Sequence, residues 1–256
     1  MSNSIFKNNA LSGKRILITG ASSGIGEATA YQLADCGASL ILVGRNKNKL
    51  TYILENLKGS KHEILLINLL EKDSLFHGIK KLNKSVLPLD GAFHSAGKEL
   101  IKLTRLTNSD DFDSIMMPSA TSALSLARAI SSKGIMSNKG SVVFMSSVAA
   151  ITGTSGMAAY SASKGAIESM SRSLSAELAP RGIRVNTLIS GAINSPMHKR
   201  LLNNLSLEGI KEYEKKHPLG FGQLEDISNL ATFLLSDASR WISGSTVTVD
   251  GGYSAI

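Results

Sequence analysis

Short apolar runs alternate with longer amphipathic stretches along the 256 residues. The runs are RILIT (15–19), SLILV (39–43), EILLI (63–67), LDGAFH (89–94), GSVVFMS (140–146), IRVNTLI (183–189) and TVTVD (246–250). Most are rich in β-branched residues and show little polar alternation, which predicts strands covered on both faces. Helical spacing is found at Ile25–Ala34, from about Asn46, at 71–83, in a long segment at 109–131, and at 158–178. Strands alternating with helices and joined by right-handed crossovers predict an α/β fold, a doubly wound parallel sheet with helices on both faces. No linker or shift of composition divides the chain, so residues 1–256 read as one domain, with 1–10 as a flexible polar tail. Residues 194–218 are polar and basic and stand between a strand and a helix, so they read as an excursion forming a substrate lid.

The first strand runs into TGASSGIG, residues 19–26. In that position Gly20 suits a tight turn, Gly24 lets backbone approach a pyrophosphate, and Gly26 lets the helix pack close to the sheet. The helix start adds free N–H groups and the positive end of a dipole. The second strand is followed by GRNKNK, with no acid until Glu55. An acid there would favour a ribose hydroxyl, whereas Arg45 suits a 2′-phosphate, which points to NADP(H). Lys47 and Lys49 read as solvated residues opening a surface helix.

Composition narrows the classes. Cys36 is the single cysteine, so no internal disulfide forms and a reducing, cytoplasmic setting is the default. The five histidines are scattered without metal-ligand spacing, so no metal is expected. No stretch approaches the ~20 apolar residues of a membrane helix, and the start lacks the apolar core of a secretory leader. The net charge of +8 is spread without a basic cluster or aromatic platform, so nucleic acid is not an expected partner.

Tyr160 and Lys164 stand four apart in AAYSASKGA, on one face of the predicted helix. A neighbouring ammonium stabilises a phenolate and would lower the tyrosine pKa from ~10. From this pair alone a half-buried tyrosine beside a snorkelling lysine is the better reading. The wider pattern changes that weighing. TGASSGIG, Ser146-Ser147, YSASK (160–164), RVNTLISGAINSPM (184–197) and the ending LLSDASRWISGSTVTVDGGYS resemble, in order and spacing, the short-chain dehydrogenase/reductase family. Within it the chain resembles 3-oxoacyl-carrier-protein reductases and related ketone reductases.

The resemblance implies a Rossmann-like fold and hydride transfer between a nicotinamide and a carbonyl or alcohol carbon. It implies Tyr160 as general acid/base, Lys164 as the group that lowers its pKa and holds the nicotinamide ribose, and Ser147 as a hydrogen-bond partner of the substrate oxygen. It implies cofactor contacts from Gly20, Ser22, Ser23, Gly24, Ile25 and Gly26, then from Arg45, Asn68, Ala96 and Gly97, and finally from Gly191 and Ile193 beside Tyr160 and Lys164. It also implies a homodimer or homotetramer, assembled through two long helices and the C-terminal segment.

Several positions depart from the family pattern. Ser95-Ala96-Gly97 replaces Asn-Ala-Gly and is preceded by His94; Asn68 replaces an Asp; Ser190-Gly191 replaces Pro-Gly. The catalytic Asn of the long helix becomes Ser119, directly after Pro118. The family Asn marks a helix irregularity whose carbonyl holds a relay water for the Lys, and Pro118 can build an irregularity by another route. The lid carries Lys199, Arg200, Lys211, Lys215 and Lys216, with Met197, Leu201, Leu202 and Leu205 as candidate pocket lining. That combination suits a small-molecule or acyl-carrier-bound carbonyl substrate, and equally a solvated amphipathic helix. A catalytically impaired NADP-binding regulatory protein on the same fold is the alternative that Ser119, Ser95 and Ser190 raise.

Overall fold

The computed structural model describes residues 6–82, 88–203 and 206–255. Seven strands form one all-parallel sheet: β1 (Arg15–Thr19), β2 (Ser39–Gly44), β3 (Glu63–Leu66), β4 (Leu89–His94), β5 (Met136–Ser147), β6 (Arg184–Ser190) and β7 (Thr246–Val249). Their order is β3-β2-β1-β4-β5-β6-β7. The order reverses direction between β1 and β4, which opens a crevice at the carboxyl ends of those two strands.

Alternation within the strands feeds two cores. Ile16, Ile18, Leu40 and Leu42 face α1 (Gly24–Asp35), α2 (Lys47–Asn56) and α9 (Leu224–Leu235). Leu17, Ile41, Val43 and Phe144 face α3 (Ser74–Leu82), α5 (Ser122–Ser131) and α6 (Ala158–Leu178). Central β1 and β6 are wholly buried, whereas the edge strands β3 and β7 are only partly covered. Two arginines close helix ends, as the helix dipole favours. Arg184 donates to the carbonyls of Leu234 and Ser236 at the end of α9, and Arg181 to those of Ile130 and Ser131 at the end of α5.

The expected elements are found with three differences. Strand β5 starts at Met136 rather than Gly140, because its pairing with β4 continues across a bulge between Leu89 and Gly91. The long helix expected at 109–131 is broken into α4 (Ser109–Met116), a π-helical turn at Met117–Thr121, and α5. Pro118 has no N–H to give, and the Ser122 N–H reaches back to the Met117 carbonyl, five residues away. The excursion at 194–218 is two short helices, α7 (Pro196–Leu202) and α8 (Leu207–Lys215). Of the expected tail, residues 1–5 lie outside the described residues; beyond them Phe6 packs on the core and Ala10 closes a turn onto the Lys7 carbonyl at 2.9 Å.

A ring cluster fastens the excursion to the body. Phe221 lies 4.6 Å from His198 of α7, 5.4 Å from Tyr213 of α8 and 4.9 Å from His217, and His217 stacks on Tyr253 at 4.7 Å.

Candidate active site

A cleft of about 610 Å³ opens where the strand order reverses. Its floor is the turn after β1. Gly20 has φ +68°, and a side chain there would come within 2.9 Å of the Ala96 backbone nitrogen. Gly24 also has a positive φ, of +59°. Gly26 lies outside the cleft lining, but a Cβ on it would meet the Gly20 carbonyl at 2.3 Å, so it sets how closely α1 approaches the sheet. The N-cap of α1, Ser23, makes no side-chain cap bond, which leaves the first-turn N–H groups facing the cleft.

Of the expected cofactor residues, Gly20, Ser22, Ser23, Gly24, Ile25, Arg45, Asn68, Ala96 and Gly97 line this cleft. Asn68 is also tied into its own turn, accepting the Leu70 N–H and donating to Glu71. Gly191 and Ile193 do not line it. A Cβ on Gly191 would meet Asp250 at 2.8 Å, and Ile193 is a buried residue bridged to Gly222, so both have packing reasons for their identity. The reading of Lys49 as merely solvated is corrected: it lines the cleft beside Arg45 and Asn46, because α2 begins at Lys47 and its first turn brings Lys49 round to the cleft. Asn46, Lys98, Glu99 and Ser114 were not anticipated. For Lys98 and Glu99 a signal was available, since they directly follow the glycine that ends the β4 turn.

Ser147, Tyr160, Lys164 and Ser119 are not among the residues that line the cleft, but Gly97, which does line it, is close to two of them: a Cβ on it would lie 3.2 Å from Lys164 Nζ and 3.4 Å from Ser119 Oγ. Strand β5 ends at Ser147, and α6 begins by presenting Tyr160 and Lys164 on its buried side. Tyr160 is hydrogen-bonded to Ser147. Burial pushes the Tyr160 phenol up to about 12; the bond to Ser147 opposes this, and the Glu99 carboxylate adds to it. The Lys164 ammonium donates to the Met145 carbonyl at 3.2 Å and lies 5.8 Å from the centre of the tyrosine ring. Burial brings Lys164 itself down to about 8. Burial thus favours the uncharged form of both groups, the phenol of Tyr160 and the amine of Lys164.

Ser119 is fully buried on the π turn. Its carbonyl, the group expected to hold a relay water, is engaged by Ser122, whose Oγ lies 3.2 Å away and whose N–H also points to it. Its hydroxyl has no hydrogen-bond partner among the described residues. From the excursion at 194–218, Ser195, Pro196, Met197 and Arg200 reach the cleft. Leu201 and Leu202 do not line it, nor do Lys199, Lys211, Lys215 or Lys216, so the expected apolar lining and basic face are reduced to Met197 and Arg200. Leu205 lies outside the described residues. Arg200 clasps Glu99 across the cleft at 3.0 Å. Among the described residues no acidic, histidine and cysteine cluster suits a metal, and no helix is long and apolar enough to cross a membrane.

Known proteins share both the sequence and this architecture. A family profile described as Enoyl-(Acyl carrier protein) reductase matches residues 20–254. The 3-oxoacyl-[acyl-carrier-protein] reductase FabG of Rickettsia conorii is 37% identical, over 94% of this chain and 97% of that protein. The glucose 1-dehydrogenase of Gluconobacter oxydans is 33% identical, over 94% and 91%. A solved structure titled as a blue fluorescent protein from a metagenomic library in complex with NADPH superposes with a TM-score of 0.87 at 26% identity, covering 96% of this chain and 99% of that one. Together with the seven-stranded sheet and its cleft, these matches establish that the chain belongs to the short-chain dehydrogenase/reductase family, oxidoreductases that use a nicotinamide cofactor.

Proposed function

We propose that this protein is an NADPH-dependent reductase that converts a carbonyl to an alcohol, with Tyr160 as general acid. The observation that carries the reading is the buried Tyr160, bonded to Ser147 and set beside the buried Lys164. The bare N-terminus of α1 and the glycine-lined turn fit a pyrophosphate. Arg45 and Lys49, both exposed at the outer end, fit a further phosphate. When bound, the nicotinamide would supply the hydride. Ser147 orients the substrate oxygen, and Tyr160 delivers the proton that neutralises it. Lys164 adds positive charge that favours the phenolate left behind. Arg200 and Glu99 pair at the cleft and bound the space left for the substrate. The identity to 3-oxoacyl-[acyl-carrier-protein] reductases supports a 3-oxoacyl thioester as the first substrate to try.

The test is oxidation of NADPH and of NADH with a panel of 3-oxoacyl thioesters and simple ketones. NADPH turnover that disappears in Tyr160→Phe, with cofactor affinity kept, is the expected result. Full activity in that variant overturns the assignment of Tyr160.

A further inference from the structure

Among the described residues that line the cleft, four are cations, Arg45, Lys49, Lys98 and Arg200, and one is a carboxylate, Glu99. Arg45 and Lys49 flank Asn46, the N-cap of α2, at the phosphate end. Glu99 is placed beside the reacting groups by its chain neighbours. Two residues before it stands Gly97, where a Cβ would lie 3.2 Å from Lys164 Nζ. Directly after it, Leu100 packs against the cluster of Ile115, Ala149 and Tyr160. The charge of Glu99 also bears on the Tyr160 phenol, whose proton it helps to retain. Glu99 is mostly covered, with 20% of its side chain exposed, and Arg200 holds it from α7. Arg200 Nε and Nη2 lie 3.2 and 3.0 Å from Oε1, and Nη2 lies 3.4 Å from Oε2. Such a pair presents no net charge to a substrate. A substrate carboxylate would have to take Arg200 from Glu99, and would leave a mostly covered carboxylate unpaired beside a second anion.

We propose that Glu99 and Arg200 are a specificity-determining pair: Glu99 occupies the cation that would draw an anionic substrate, so the cleft takes uncharged carbonyl compounds, such as 3-oxo esters, thioesters and amides, and turns away free oxo acids. The inference rests on the reading of Tyr160 given above and adds the charge of the substrate to it. Discrimination of this kind works through a repulsive element as well as an attractive one. Lys98 is engaged at Ser114, whose Oγ lies 3.3 Å from its Nζ, which leaves Arg200 as the cation that Glu99 answers. Without the charge of Glu99, Arg200 would face the substrate as a cation and favour an acid. Without Arg200, the carboxylate would stand alone and reject an acid more strongly. The two substitutions therefore push specificity in opposite directions. Loss of a merely structural tie between α7 and the loop after β4 would push it the same way in both.

The test compares acetoacetate with acetoacetamide, which share the 3-oxo group and nearly the same shape but differ in charge. kcat/KM with NADPH is measured for both compounds in the unmodified protein, in Glu99→Gln and in Arg200→Gln, with thermal melts to show that each variant folds. The readout is the ratio of acid to amide, so any general loss, including the effect of Glu99 on the Tyr160 phenol, cancels. The unmodified protein should favour the amide. Glu99→Gln should raise the ratio about tenfold or more, and Arg200→Gln should lower it about threefold or more. A ratio unchanged in Glu99→Gln, or one that moves the same way in both variants, overturns the proposal. If Arg200→Gln does not fold, the ratio in Glu99→Gln decides it. If neither compound is reduced, the same ratio is taken from their affinities for the protein loaded with NADP+, by calorimetry, and the same outcomes apply. Activity retained in Tyr160→Phe would instead overturn the underlying assignment, and the ratio would still judge the pair.

Discussion

A side chain's neighbours decide its proton affinity, and three residues here carry predictions on that account. Lys164 is brought to about 8 by burial, so it holds its proton below that pH and loses it above. Turnover in the reductive direction should therefore fall as pH rises through about 8, which a kcat–pH profile reads directly. His94 has a folded pKa of about 3, well below the unfolded value of ~6.5. Between these values the unfolded chain binds the extra proton, so the contribution is complete above ~6.5 and lost as pH falls toward 3. His94→Gln should flatten the decline of stability in acid, measured by denaturant melts from pH 7 to 4. The burial of His198 lowers its pKa too, so part of the acid slope should survive. Arg45 is exposed and lines the cleft. Arg45→Asp should weaken NADPH binding by roughly 1.5–3 kcal/mol and leave NADH binding nearly intact, by titration of each cofactor. Equal affinity of the unmodified protein for both cofactors would contradict it.

Elements were legible wherever the local pattern also decides the packing. The RILIT and RVNTLI runs are continuous because both of their faces are covered, and β1 and β6 are buried throughout. The break in the long helix was visible because proline cannot donate, and the π turn occurs at Pro118. The engagement of the Ser119 carbonyl was not visible. It depends on Ser122 and on His94, which lies on a strand 25 residues earlier in the chain. How the excursion at 194–218 is held was not visible for the same reason, since its hold comes from rings at 198, 213, 217, 221 and 253 whose meeting no local period encodes. The π turn yields a prediction with opposed readouts. Pro118→Ala returns an N–H to the helix and removes a penalty of up to ~3 kcal/mol, so the melting temperature should rise. The same change favours a regular helix and shifts the turn that packs against α6, which carries Tyr160 and Lys164, so kcat should fall. A variant that gains stability without losing rate would show that the turn is incidental to turnover.

At the scale of the whole molecule, large apolar side chains remain exposed at several places, two of which bear on assembly. Phe112 and Leu124 are 40% and 50% exposed on α4 and α5, and Trp241 and Leu219 are 91% and 84% exposed near the C-terminal segment. We predict that two-fold contacts between copies cover both faces, giving a tetramer. Light scattering at micromolar concentration should show it, and emission from Trp241, the single tryptophan, should shift to the blue as copies associate. A monomer with water-exposed tryptophan emission would contradict the prediction. The ring cluster then has a consequence for the pace of the cycle. Any motion that lifts α7 and α8 off the cleft must slide His198 and Tyr213 past Phe221, and shift His217 against Tyr253. We predict that bound product waits for that unstacking, which would tie its residence time to five rings rather than to the catalytic groups. A tetramer contact that grips the segment around Tyr253 would make one subunit's release rate depend on its neighbour, and enzyme concentration would then enter the turnover number itself.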